Sequence, residues 1–208
     1  MGQSIQLRLI NDTDDFENYV CVIMQKNLLT APTASPTAWQ LIANLAPGEA
    51  HSFTFSDLSL LVSDRDGNLT KDIPAHEGMA YQMEKDPGML VLKGDAQEPD
   101  QIDVLNPPDE GIGGGIYVLC KRSGNLLASV FPVQPGQTAS FKFDSNIFLG
   151  VITMEDAQKK LSHFHVLSPD LLPYIDTEIS LLGISSADIV MSGGPGAFTF
   201  TLENVASD

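Results

Sequence analysis

The sequence predicts an all-β protein: an antiparallel β-sandwich, built from two related β units, with at most one short helix. Three observations lead there. Apolar and polar residues alternate in about a dozen short runs rich in Val, Ile, Thr and Phe. Gly, Pro, Asn and Asp punctuate those runs at short, even intervals, as turns do between sandwich strands. One phrase is also written twice: Ala46-Pro47-Gly48-Glu49-Ala50-His51-Ser52-Phe53-Thr54-Phe55 returns as Gln134-Pro135-Gly136-Gln137-Thr138-Ala139-Ser140-Phe141-Lys142-Phe143. Pro presets φ at the first corner of a turn and Gly takes positive φ at the second. Phe-x-Phe then puts two rings on one face of a strand, because side chains alternate. Each copy therefore predicts strand, turn, aromatic strand, with a shorter echo at Pro195-Gly196-Ala197-Phe198-Thr199-Phe200.

The elements follow in order. Residues 5–10 alternate and end at Asn11-Asp12-Thr13-Asp14-Asp15; residues 19–25 form an apolar run that suits burial on both faces. A Pro-, Thr- and Ala-rich loop over 29–37 precedes strands at 38–45 and 51–55. The strand at 58–63 runs into Asp64-Arg65-Asp66-Gly67-Asn68, a hairpin-turn signal. Shorter strands are expected at 79–83 and 89–92, joined around Pro87-Gly88. Residues 94–110 hold six acids, no base and three prolines, and read as an exposed connection carrying a short strand at 102–105. Beyond it come strands at 116–120, 126–133, 138–143 and 147–152. Thr153 caps a helix over 154–161, with Glu155 and Asp156 in its first turn and Lys159 and Lys160 in its last. Strands at 163–167, 179–182, 188–191 and 198–202 finish the chain, with a Pro-punctuated loop through Pro173. The expected organisation is one compact domain: a first β unit at 1–94, an acidic connection at 95–110 and a second β unit at 111–208.

With 43% hydrophobic residues and 10 Phe, the 208-residue chain has ample material for a core. No run approaches the roughly 18 to 20 apolar residues of a membrane helix, so membrane insertion is not expected. The N-terminus alternates like a strand and lacks a basic segment followed by an apolar block, so the chain is expected to be cytoplasmic or exported without a cleavable signal. The net charge is −16, and residues 1–110 carry 18 acids against 6 bases while residues 111–208 carry 9 against 5. Such a surface repels phosphate backbones, which argues against nucleic acid as a partner. Cys21 and Cys120 each lie in an apolar strand; they read first as buried thiols and second as a disulfide between the units.

Few residues suggest chemistry. Asp64, Asp66 and Asn68 resemble the start of a calcium loop, in which alternate side chains aim oxygens at one ion. Gly67 arrives one residue early for that pattern and residue 73 is Ile, so a structural turn is the plainer reading. His163 and His165 share a strand face at a spacing compatible with zinc or copper, and a third ligand would have to come from His51, His76 or Asp170. Gly111-Ile112-Gly113-Gly114-Gly115 lacks the Lys-Ser/Thr of a phosphate loop and reads as strand entry, where another backbone comes close. Asn11-Asp12-Thr13 and Asn68-Leu69-Thr70 match glycosylation sequons. No nucleophile elbow, zinc-protease helix or activated cysteine is present, and no catalytic residue or required cofactor is expected.

As an ordered string, Asn11-Asp12-Thr13 through Phe16, Tyr19-Val20-Cys21-Val22, Gln25, Ala38-Trp39, Ala46-Pro47-Gly48, Gly111-Ile112-Gly113, Phe141-Lys142-Phe143, Ile147-Phe148-Leu149-Gly150 and Pro195-Gly196 resemble the rhizosphere-induced (RhiA-like) protein family. The likeness spans nearly the whole chain, although Gly113-Gly114-Gly115 stands where that family has a Met- or Ser-containing stretch. It implies a soluble β-protein of bacteria, or of some fungi, without an established enzymatic activity and with no catalytic residues to carry over. The expectation is then a protein acting through its surface, in binding or in self-assembly as a structural or filament-forming subunit. A small-ligand or glycan-binding module using Trp39, Tyr81 or Tyr117 as a stacking platform is the alternative. Leu28-Leu29 and the 168–173 loop are the expected docking segments.

Overall fold

The computed structural model describes residues 4–29, 36–84, 88–109, 111–161 and 165–207. Pro87 of the expected turn and most of the 29–37 loop lie outside the described residues. The first eight strands are β1 (Ile5–Thr13), β2 (Tyr19–Met24), β3 (Ala38–Ala43), β4 (Ala50–Phe55), β5 (Leu58–Ser63), β6 (Ile73–Ala75), β7 (Met79–Glu84) and β8 (Met89–Asp95). The next are β9 (Ile102–Leu105), β10 (Ile116–Arg122), β11 (Asn125–Val133), β12 (Thr138–Phe141), β13 (Asn146–Thr153), β14 (Thr177–Ser180), β15 (Ile184–Gly193) and β16 (Thr199–Ser207). Between β13 and β14 lie α1 (Met154–Lys160) and a 3-10 helix, Pro169–Tyr174. The chain is all-β.

Two compact units result. Unit 1 is Met1–Gln25, Ser35–Ser56 and Ser145–Asp208; unit 2 is Lys26–Ala34 and Asp57–Asp144. Unit 1 has sheets in the order β16-β15-β1-β4 and β14-β13-β2-β3, and unit 2 has β8-β7-β9-β12 and β6-β5-β10-β11. Shifting every strand number by eight converts one unit into the other. Even the pairing senses agree: β1 runs parallel to β15 and β9 parallel to β7, and every other pair is antiparallel. The eight-strand repeats are β1–β8 and β9–β16, but neither builds a unit by itself. Each unit takes the first four strands of one repeat and the last four of the other.

Residues 1–94 therefore correspond to the first repeat, the second repeat begins before 111, at β9, and neither sequence half is a compact unit. Segment 95–110 is likewise not an exposed connection along its length. Its strand β9 sits between β7 and β12, with Ile102, Asp103 and Val104 buried, so one of the acids lies within a central strand. The repeated phrase pairs in the same register twice: Ala50 lies opposite Ile10 and Thr138 opposite Leu105. In unit 1, Trp39 of β3 packs edge-on against Phe53 and Phe55 of β4, ring centroids 5.7 and 5.8 Å apart, which joins the two sheets face to face.

Thr153 caps α1, its hydroxyl accepting from the Asp156 N–H at 3.0 Å. The strand expected over 163–167 is not formed at His165, whose φ of +54° lies outside the extended region. The 3-10 helix replaces the expected Pro-punctuated loop, with Pro169 at its first turn where no N–H is needed. The alternation pattern does not reveal β6, Ile-Pro-Ala, because it is three residues long and contains Pro, which is tolerated at its edge position.

Candidate functional site

The best-built polar constellation is structural and occurs twice. In unit 1 the Asn11 side chain donates to the Leu45 carbonyl (2.7 Å) and accepts from the Thr13 N–H and hydroxyl. Its backbone carbonyl takes the Gly48 N–H, and its N–H donates to the Glu49 carbonyl. In unit 2 Asn106 donates to the carbonyls of Val133 (2.9 Å) and Ile112 (3.2 Å) and accepts from the Ile112 N–H. Its backbone again binds Gly136 and Gln137. A side chain closes each turn from within: Glu49 accepts from the Ala46 N–H and Gln137 from the Gln134 N–H. Gly48 and Gly136 hold φ of +79° and +85°, as the Pro-Gly turn demands. Both asparagines are fully buried, so they clamp the repeated phrase to the strand beside it. Asn106 has a sequence signal, an apolar-Asn step ahead of the second phrase like Ile10-Asn11 ahead of the first.

The candidate metal ligands lie in equivalent connections, Asp64, Asp66 and Asn68 between β5 and β6, His163 and His165 between β13 and β14. Asp64 turns its carboxylate inward: one oxygen accepts from the N–H groups of Asp66 and Asn68, both at 2.9 Å, and the other from the Asn68 amide at 2.7 Å. Those bonds, the Asn68 side chain first, hold the Asp64 carboxyl below its usual range. Asn68 thus presents a donor, not an oxygen, to Asp64. His163 lies outside the described residues, and His165 is exposed. Of the proposed third ligands, His51 stacks on Phe53, the His76 backbone N–H donates to the Tyr81 hydroxyl, and Asp170 pairs with Lys160 at 3.0 Å. Among the described residues, no three His, Cys, Asp or Glu side chains come together.

Cys21 and Cys120 are buried free thiols, so the alternative of a disulfide is not realised. Burial pushes both up, Cys120 to about 12, so neither is an activated nucleophile at neutral pH. Trp39 and Tyr81 are core residues, which removes them as stacking platforms; Tyr117 remains half-buried, stacked on an exposed Phe131. Leu28 and Leu29 are exposed, as docking residues would be. Gly111 approaches the Pro107 carbonyl so closely that a Cβ would lie 2.1 Å from its oxygen, the close backbone approach expected of the glycine run. Asn11, the first sequon residue, is inaccessible to a glycan, whereas Asn68 is exposed.

Unit 1 also carries an open cleft of about 460 Å³ beside α1 and the 3-10 helix, lined by Tyr19, Tyr174, Phe198, Thr153, Asp156 and Asp176 among others. No helix among the described residues is long and apolar enough to cross a membrane. No family model, no curated protein and no solved structure matches the chain.

Proposed function

We propose that the protein is a non-enzymatic, self-associating β-protein of the kind its RhiA-like motifs suggest, acting through its surface and requiring no cofactor. The observation that supports this reading is β16. It is nine residues long, ends a sheet of unit 1, and pairs only with β15 among the described strands. Edge strands are normally blunted by Lys, Pro or bulges. β16 has neither Lys nor Pro and carries Glu203 as its one charge. It pairs regularly with β15 from Thr199 to Glu203, its register shifts lying beyond that stretch. The equivalent edge, β8, carries Lys93 and a Gly94 at φ +150°. Light scattering after size exclusion, with negative-stain imaging, tests the proposal: the chain associates with rising concentration, and Thr201→Lys lowers the associated fraction. A strictly monomeric wild type at the highest attainable concentration rejects it.

The cleft favours a second reading, a small-ligand or glycan site with Tyr174, 60% exposed, as its stacking face. Thermal-shift screening against sugars separates the two, since Tyr174→Ala abolishes any sugar-induced shift and leaves association unchanged.

A further inference from the structure

We infer that copies of this chain join by exchanging the β1–β4 block, so that β1–β4 of one copy completes unit 1 on β13–β16 of the next. The inference rests on the self-association proposed above but not on β16. Unit 2's strands run without a break in the chain, β5 to β12. Unit 1 is instead assembled from the two ends of the chain, Asn11 of β1 lying beside Met191 of β15 in the parallel pair. Nothing covalent holds those ends together, because Cys21 and Cys120 are free.

The connection between the blocks is short. β4 ends at Phe55 and β5 begins at Leu58, so only Ser56 and Asp57 lie between the last strand of the block and the first strand of unit 2. Short hinges favour exchange, since an open hinge relieves what a tight one must bend. Exchange also loses no pairing. The loop after β2 travels with the block, and its bonds land on the residues that lead into β13. Asn27 donates to the Ser140 carbonyl and accepts from the Lys142 N–H, and the Leu28 N–H donates to the Lys142 carbonyl. The β1/β15 and β2/β13 pairs are therefore rebuilt between copies, and the other strand pairs of unit 1 stay within one copy. The chain already performs this exchange internally, because each of its repeats gives half its strands to the other's unit.

A cross-link across the β2/β13 pair reads out which copy supplies which block. Cys21 lies opposite Val151, and antiparallel partners hold their Cβ atoms about 4.5–5.5 Å apart, close to disulfide reach. Full-length Val151→Cys is oxidised with copper-phenanthroline, thiol loss is followed with Ellman's reagent in denaturant, and the monomeric and associated fractions are run on non-reducing gels. The monomeric fraction loses the thiols of the pair and gives monomer bands. The associated fraction loses them equally and gives covalent dimers and longer species that dithiothreitol collapses. Wild type treated alike gives none. Should Val151→Cys fail to fold or to oxidise, Ile10→Cys with Val190→Cys places the same reporter across β1 and β15, at two half-buried positions. Only monomer bands from an oxidised, associated fraction overturn the exchange and leave association by edge pairing standing. A wild type that never associates overturns both.

Discussion

Units 1 and 2 share one topology and differ in what covers their second sheet. In unit 1, β13 buries Ile147 to Gly150 in succession, and Val20, Val22, Met24, Phe148 and Ile152 pack beneath Leu167, Leu171 and Ile175. In unit 2 the equivalent of β13 is β5, which alternates buried and half-buried residues as a strand covered on one face does. The cause is the length of one connection. Residues 154–176 give unit 1 a helix and a 3-10 helix, while residues 64–72 give unit 2 a turn closed by Asp64. The repeat fixes strand order, and the inserted connection decides which sheet carries a second layer.

Removing that second layer is the largest expected break in the comparison. Leu171 is fully buried, and Leu171→Ala costs about 3 kcal/mol from lost transfer energy and the cavity left behind. The loss falls on unit 1 alone. The single tryptophan, Trp39, lies in unit 1, so its fluorescence follows that unit while far-UV circular dichroism follows both. In urea the fluorescence midpoint drops; an unchanged midpoint would show that the helical cover adds nothing to the sheet beneath it.

The asparagine clamps test the likeness of the units. Asn11→Ala leaves the buried Leu45 carbonyl without its donor, and Asn106→Ala does the same to Val133. Each costs about 2 kcal/mol, the penalty of stranded buried polar groups. Asn11→Ala lowers the fluorescence midpoint, whereas Asn106→Ala lowers the dichroism midpoint and leaves fluorescence in place. Equal shifts of both signals by both variants would mean that the units unfold as one.

How much of this was legible follows from the range of each interaction. Alternation and Pro-Gly turns are local, so β5 and β9 were readable to their end residues and the Thr153 cap to its position. The repeat was readable because register transmits it, Phe53 and Phe141 standing opposite Leu7 and Ile102. The interleaving of the repeats was not, because no local pattern says that β1 pairs with a strand from the far end of the chain. The candidate site fared worse because its signal was short-range and ambiguous. Asp64 and Asn68 satisfy each other across a single turn, and sequence spacing alone does not distinguish that from two ligands awaiting an ion.

The smallest expected effect separates the units by charge. Arg8 and Asp103 stand at the same distance ahead of the two clamps, Asn11 and Asn106. Arg8 grips Asp188 with two bonds of 2.7 Å, and Asn204 adds a third of 2.7 Å. Asp103 instead takes neutral donors, the Gln97 N–H at 2.9 Å, the Gln101 amide at 3.2 Å and the Ser140 hydroxyl. Arg8 first and Asn204 second hold the Asp188 carboxyl down to about 2. An unfolded Asp titrates at about 3.9. The contribution of the pair is therefore fully present above that value and is lost as pH falls through about 2. It is modest, because the Arg8 side chain is 53% exposed and solvent screens it. Between about pH 5 and pH 2 the fluorescence midpoint of wild type falls more steeply than that of Arg8→Ala, in which Asp188 keeps only Asn204. Parallel slopes for the two proteins would show that the ion pair contributes nothing to unit 1 and that the units differ in cover alone.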